Sequence, residues 1–356
     1  MNMMPRQSST ILFYLTPEFT MLAFSSALES LRLANQALKR DAYDWRLVSS
    51  DGKPVKASCG ISIATDISLT QARAMLVNGA PPRMAMVCAG RNVQNHCDRE
   101  LLGWLRECRN KRVAIGAICT GAHLLARTGL LNNKRCTIHW ENYSSFAEEF
   151  PTAELSSHIF EIDDGIYTCA GGTTPLEMML ELIGHDCGMD VAVEVCQQAV
   201  LASVRDRSER QRLPFAIPGH ASSPNLRKVI RLMEENITDP LALGTISDRI
   251  GISRRQMERY FRTVFDCSPH RYYLRLRIER AKSLLQQTSM QIVDIAIACG
   301  FVSASHFSKT FRQLLGESPG ECRQERVIKL SSWKRNGNRS AYKEINPNPD
   351  ALEATA

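Results

Sequence analysis

Two sets of residues in this sequence have types and spacings that could do chemistry. The first is a thiol and an imidazole. In VAIGAICTGAHLLARTGLL a buried-strand pattern ends at Ile118, Cys119 stands at the turn, and a helical pattern starts near Gly121. A residue on a tight strand-to-helix turn projects its side chain, and the adjacent helix N-terminus favours a thiolate. His139 follows 20 residues on, in CTIHWEN. Cysteine with histidine is the minimal pair for nucleophilic thiolate chemistry. The second set is a doubled run. ISDRIGISRRQMERYFRTVFDCSP, 246–269, is echoed by IAIACGFVSASHFSKTFRQLLGESP, 295–319. Phe261-Arg262 recurs as Phe311-Arg312, and Ser268-Pro269 as Ser318-Pro319. Gly251 recurs as Gly300, with one extra residue following the second glycine.

Each copy reads as a short helix, a turn at a glycine suited to positive φ, and a second helix. Ile246 and Ile250, or Ile295 and Ala298, are expected to pack the first helix onto Met257 and Phe261, or onto Phe307 and Phe311. The opposite face then carries Ser253, Arg254, Arg255, Glu258 and Arg259 in one copy. In the other it carries Ser303, Ala304, Ser305, His306 and Lys309. Arg and Lys meet guanine edges or phosphates, and Ser and His serve in either role. Between the copies, Leu274, Ile278, Ala281 and Leu285 keep helical spacing, as in a helix that separates two units.

The elements around the thiol differ in kind. Thr10–Leu15, Met84–Ala89 and Arg112–Ile118 read as short buried strands. Met21–Leu38, Asp98–Cys108, Gly121–Thr128 and Pro175–Ile183 read as helices. Such alternation predicts an α/β domain, a mainly parallel sheet sandwiched by helices in the flavodoxin-like manner. Ligands bind such folds at the carboxyl ends of the strands. Strand signals vanish after RDRSERQRLPFAIPGHASSP, 205–224, which reads as a linker. Beyond it Leu226, Val229, Ile230, Met233 and Ile237 mark a helix face, opening an all-α domain with two helix-turn-helix units. The expected organisation is 10–204 for the α/β domain, 225–330 for the helical one, and a disordered tail over 331–356.

Charge follows this division. The 356 residues carry a net charge of +7. Residues 221–330 hold 18 Lys and Arg against 11 Asp and Glu, so the rest of the chain is neutral. A basic C-terminal domain beside a neutral one points to a polyanionic partner for the former alone. The 12 cysteines are scattered with no C-x-x-C pair, which fits reduced thiols in a cytoplasm. The N-terminus resembles neither a signal peptide nor a membrane span. No cofactor or metal is expected.

From Asn225 to Arg323 the doubled layout resembles the AraC/XylS family of transcription activators. The resemblance implies that both recognition helices enter successive major grooves of promoter DNA, with RNA polymerase as a further partner. It places Arg255, Glu258 and Arg259 in one groove and Ala304, Ser305, His306 and Lys309 in the next. Cys322 stands where that family more often has an aromatic, a position expected to be structural.

From Thr10 to Val204 the A-x-C-x-G elbow, the T-x-H-W segment and CAGGTTPLEMMLELI resemble the PfpI and glutamine-amidotransferase-like superfamily. Cys119 and His139 match its cysteine and histidine, and Gly90 matches a loop able to line an oxyanion site. Two departures count against catalysis. Ala23 stands where enzymes of the superfamily often place a carboxylate, and Thr120 where the proteases have histidine. The combination of the two domains resembles the GlxA-like regulators, in which the first domain is a small-molecule sensor and homodimerisation unit. TIHWEN and RDRSERQRLP narrow the resemblance to regulators of quaternary-amine and amino-acid-derivative catabolism. The expected pocket combines Phe19, Gly90, Arg91, Asn92, Cys119, Thr120, His139, Trp140, Glu141 and Thr173. Phe19 and Trp140 would wall a trimethylammonium group, a contact of up to about 2 kcal/mol, and Arg91 or a helix-start N–H would take a carboxylate. The rival reading is a cysteine amidase or peptidase fused to a DNA-binding module. A second rival is an architectural DNA binder that needs no ligand.

Overall fold

A computed structural model describes residues 9–78, 81–201, 203–211 and 224–324. The expected tail, 331–356, lies outside these, as does most of the expected linker. The chain forms two units, 1–215 and 216–356.

In the first unit the strands are β1 (Ser9–Leu15), β2 (Tyr43–Ser49), β3 (Val55–Lys56), β4 (Ser62–Ile63), β5 (Ile67–Ser68), β6 (Met84–Cys88), β7 (Ala114–Ile118), β8 (Arg135–Cys136), β9 (Glu154–Leu155), β10 (Phe160–Asp163) and β11 (Ile166–Cys169). The helices are α1 (Met21–Leu38), α2 (Leu69–Val77), α3 (Arg99–Asn110), α4 (Ala122–Thr128), α5 (Tyr143–Glu149), α6 (Thr174–Cys187) and α7 (Met189–Gln198). The main sheet runs β10-β11-β7-β6-β1-β2-β5 and is parallel except at its edge strand β10. The expected α/β fold is therefore present.

Period-two alternation builds both layers from one strand. Ile11, Phe13 and Leu15 of β1 join the core that includes α1, α6 and α7 residues, while Leu12 and Tyr14 join the opposite core with α2, α3 and α4. This two-sided burial explains the unbroken apolar runs of β1, β6 and β7. The register sets Leu15 beside Cys88, Cys88 beside Ile118, and Ile118 beside Cys169. Four strands thus end together, and the loops that follow them converge.

The expected linker begins later than Arg205. Arg205 binds the buried Glu177 of α6 through Nε at 2.5 Å and a terminal nitrogen at 2.8 Å. Arg207 binds the buried Glu161 of β10 at 2.7 Å. The Ile159 amide donates to the Glu209 carbonyl and the Gln211 amide to that of Ser157. A charged run that reads as solvated is in fact a strap on the first unit, because two buried carboxylates need its guanidinium groups.

The second unit contains α8 (Pro224–Glu235), α9 (Leu243–Ile250), α10 (Arg254–Phe265), α11 (Pro269–Gln287), α12 (Ile292–Ala298) and α13 (Ala304–Leu315), with a further helical stretch at 319–324. The repeated Ser-Pro has a local cause. Ser268 accepts the Arg271 amide and Pro269 starts α11. Ser318 accepts the Glu321 amide, while the Glu321 carboxylate accepts that of Ser318. Each repeat thus ends on the cap of the next helix. Cys322 is buried among Phe307, Phe311 and Leu285 in the core around the second copy, as its expected structural role requires.

Candidate functional site

The repeat folds as two helix-turn-helix units. In the first, Gly251 ends α9 at φ 73°, and Ser253 caps α10 by accepting the Gln256 amide. Met257 and Phe261 are fully buried. Ser253, Arg254, Arg255 and Arg259 are exposed and Glu258 is half-buried on the opposite side. In the second, Gly300 follows α12 at φ 73°, and Ser303 caps α13 by accepting the His306 amide. Phe307 and Phe311 are fully buried, while Ser303, Ala304, Ser305, His306 and Lys309 are all exposed. Each recognition helix therefore turns its apolar stripe inward and presents its N-terminal turn to solvent. That turn is the part that meets base edges in such units.

Helix α11 ties the two units into one body. Near its start, Tyr272 packs on Phe261 at 5.1 Å and Phe265 at 4.6 Å. Two turns on, Arg277 donates to the carbonyls of Cys299 at 2.8 Å and Gly300 at 2.6 Å, its guanidinium 4.0 Å from the Phe301 ring centre. Its 19 residues span roughly 28 Å. The grip of Arg277 on the second turn is a positioning contact that sequence reading missed. Its arginine is one of several in an R-rich helix, and nothing in the periodicity singles it out.

In the first unit, Cys119 occupies the strained elbow that its sequence predicts, at φ 61° after β7. Gly171, at φ 90°, comes so close that a Cβ there would lie 2.8 Å from the Cys119 Cβ and 2.9 Å from its sulfur. The Thr120 hydroxyl donates to the Gly90 carbonyl at 2.7 Å. Gly90 in turn bridges Phe19, and a Cβ on it would meet the Glu18 carbonyl at 2.2 Å. The expected loops do converge, held by contacts that only glycine permits.

The thiol itself is poorly equipped for attack. Cys119 is buried, and burial pushes its pKa up, against a weaker opposing pull from the Thr20 hydroxyl at 3.6 Å. Ala23 is fully buried in the apolar core. His139 directs Nδ1 to the Glu141 amide at 3.4 Å and lies 3.8 Å from the Glu141 carboxylate. Burial lowers its pKa, with Glu141 opposing, which disfavours the charged imidazolium. The Arg91 amide donates to the Glu18 carbonyl, so it is not a spare donor for an oxyanion.

The family comparisons agree with this division. Residues 9–185 match the model of the DJ-1/PfpI family and residues 246–325 that of a helix-turn-helix domain. The HTH-type transcriptional regulator GbdR of Pseudomonas aeruginosa is 38% identical over 90% of this chain and 85% of its own length. CdhR, a regulator of the same type and organism, is 38% identical over 87% of this chain and 90% of its own. GlxA of Rhizobium meliloti is 33% identical over 90% and 97%. The chain belongs to this family of helix-turn-helix transcriptional regulators.

Within the regulator, the predicted pocket residues separate into three groups. Arg91, Asn92 and Glu141 are exposed, and His139 and Trp140 are half-buried with their rings 5.5 Å apart. These can meet a ligand. Cys119 and Thr120 are buried. Phe19 and Thr173 depart from expectation. Phe19 is fully buried and packs edge-on against Phe24 at 5.6 Å, so it belongs to the core and cannot wall a ligand. The Thr173 hydroxyl accepts from Arg205 at 2.8 Å and joins the strap. Sequence reading also missed Thr20, the hydroxyl on the thiol. Glu18, on a loop expected at the pocket, accepts from Asn92 through its carboxylate at 2.7 Å. Among the described residues no group of His, Cys, Asp and Glu could hold a metal ion, and no helix is long and apolar enough to cross a membrane.

Proposed function

We propose that this regulator binds a small zwitterionic effector at the elbow pocket and operator DNA through α10 and α13, as a cytoplasmic homodimer that engages RNA polymerase. The observation that carries the DNA reading is the shared polarity of the two recognition helices. Each anchors two aromatic or thioether side chains in the core and leaves a polar N-terminal turn free. The effector reading rests on the half-buried Trp140, which lies between His139 and the exposed Glu141, and on the exposed Arg91, whose amide holds its loop to the Glu18 carbonyl. An aromatic face and carboxylates suit a quaternary ammonium group, and a guanidinium suits a carboxylate.

Footprinting of the full chain on a duplex selected from random sequence tests the DNA reading. We expect protection over two consecutive major grooves, about 20 bp per chain. Protection of a single turn would overturn the tandem arrangement. Thermal melting with quaternary-ammonium carboxylates tests the effector reading. A ligand at 100 times its Kd adds about 2.7 kcal/mol of stability. Trp140→Ala is expected to abolish that shift while leaving DNA binding intact.

The same reading makes Cys119 a floor residue that does no covalent chemistry. The thiol is buried, lacks a carboxylate at Ala23, and receives the Thr20 hydroxyl and the Thr120 amide, neither of which carries charge. Cys119→Ser is expected to retain ligand-dependent transcription. Loss of induction in that variant, with a covalent adduct on Cys119 in the parent, would restore the amidase-like reading.

A further inference from the structure

The two helix-turn-helix units align without a gap except at one place. In the first, Gly251 is followed by Ile252, which is buried, and then by the cap Ser253. In the second, Gly300 is followed by Phe301, also buried, and Val302 stands between it and the cap Ser303. Phe301 takes the inward place of Ile252: it packs on Phe307 at 5.2 Å and His306 at 5.6 Å, under Arg277. With that place filled, the extra residue has only one direction left. Val302 is 103% exposed, more than any other large apolar residue among those described.

Val302 sits at the N-terminal rim of α13, contiguous with the exposed Ser303, Ala304, Ser305 and His306. That rim of a recognition helix reaches base edges. Among the groups that base pairs present in the major groove, the thymine 5-methyl is the apolar one, and it is read by apolar contact. We propose that Val302 determines specificity in the second unit by packing on the methyl group of one thymine. The first unit has no counterpart to Val302 and makes no such demand from this position. The proposal rests on the DNA-binding reading above. A different role for the same side chain is protein docking, together with Val293 and Ile297, which are 53% and 61% exposed on α12. Asp294 beside them carries a negative charge, which disfavours that helix face as a DNA contact.

The test uses the full chain and a duplex recovered by selection from random sequence. Each thymine in the half bound by the second unit is replaced in turn by deoxyuridine, which keeps base pairing and removes only the methyl group. At one position the parent chain is expected to bind about fourfold more weakly, the factor for one buried methyl. Val302→Ala should bind the thymine and deoxyuridine duplexes equally at that position. Its exposure leaves the fold unaffected, which an unchanged melting curve checks. Absence of any such thymine, or methyl dependence that persists in Val302→Ala, overturns the proposal alone. So does reduced transcription by Val302→Ala at unchanged DNA affinity, the outcome of protein docking. Failure to recover any preferred duplex overturns the DNA-binding reading as well.

Discussion

The two helix-turn-helix units share a sequence pattern but differ in how their turns are held. A Cβ on Gly251 would meet nothing within 4 Å, and that residue is exposed. A Cβ on Gly300 would lie 2.5 Å from the Ile237 carbonyl and 2.7 Å from Pro240. The connection after α8 thus forms a wall for the second turn. Thr238 strengthens it by donating to the Ala298 carbonyl at 3.1 Å, and Tyr273 of α11 holds the same connection at the Asn236 carbonyl at 2.7 Å. Arg277 closes the other side. The first unit, by contrast, is held by stacking of Tyr272 on Phe261 and Phe265, with its turn open. A repeat in sequence has become two structural solutions: one turn clamped by polar contacts from distant segments, the other defined by its glycine alone.

The largest expected effect separates these two turns. Gly251→Ala meets only the cost of positive φ, about 1 kcal/mol. Gly300→Ala meets that cost and a clash with backbone and a proline ring that have no room to yield, so about 3 kcal/mol in all. Hydrogen exchange should show α12 and α13 loosened in the second variant and α9 and α10 barely changed in the first. Equal effects of the two substitutions would mean that the clamp around Gly300 does not hold.

Next in size is Arg277→Leu. It removes charge-assisted bonds to two carbonyls and the contact with Phe301, for an expected loss of about 2–3 kcal/mol. The loss should be confined to the second unit, because Tyr272 still joins α11 to the first. Matched loss of protection in α10 would show that α11 transmits the damage and that the two units are one cooperative body.

Much of this molecule is legible in its sequence, for identifiable reasons. Strands β1, β6 and β7 are apolar on both faces and read as unbroken runs. Strand β2 escapes notice because Asp44 and Arg46 interrupt it; Asp44 is there to accept the Thr10 hydroxyl from the neighbouring strand, a partner 34 residues away. The exposed residues of α10 and α13 follow from helical periodicity, which gives direction as well as type. Loops have no period, so Phe19 reads as a pocket residue when it is core. Thr20 was invisible as the partner of Cys119 because contacts distant in sequence, such as the bridge between Phe19 and Gly90 and the Thr20 amide on the Ala89 carbonyl, fix its loop beside the elbow. Arg205 and Arg207 read as solvated charge because their partners, Glu177 and Glu161, lie 28 and 46 residues earlier inside helix and strand patterns.

The recognition helices also differ in charge, and salt should reveal it. Apart from the recurrent Arg262 and Arg312, exposed in both, helix α10 exposes Arg254, Arg255 and Arg259 where α13 exposes Lys309. Arg255→Ala is expected to cost about 1–2 kcal/mol of operator affinity. If it meets phosphate, the slope of log K against log salt falls by about one unit, as it does for Arg254→Ala and Arg259→Ala. In the N-terminal half of α13 only Lys309→Ala should do so. A salt dependence shared evenly between the units, measured by titrating single variants, would contradict this asymmetry.

The smallest effect concerns what the units have in common. Ser253 and Ser303 were expected to contact DNA, and both use their hydroxyl oxygens to accept a backbone amide of the helix that they open. Replacing either by alanine leaves that amide without its cap, at a cost of about 1 kcal/mol. Because each serine accepts the amide three residues on at 3.2 Å, Ser253→Ala and Ser303→Ala should cost the same within a few tenths, even though the turns before them differ. Aspartate separates capping from DNA contact at these positions. It caps as well as serine and suits the positive end of the helix, so Ser253→Asp and Ser303→Asp should keep the parent stability. The same carboxylate at the rim of a recognition helix repels phosphate, so both variants should lose operator affinity, most visibly at low salt. Melting curves and binding titrations on the same preparations read the two effects apart. An aspartate variant that keeps both stability and affinity would place that serine away from the DNA. If only one of the pair behaved so, one unit would dock its cap on the backbone and the other would not.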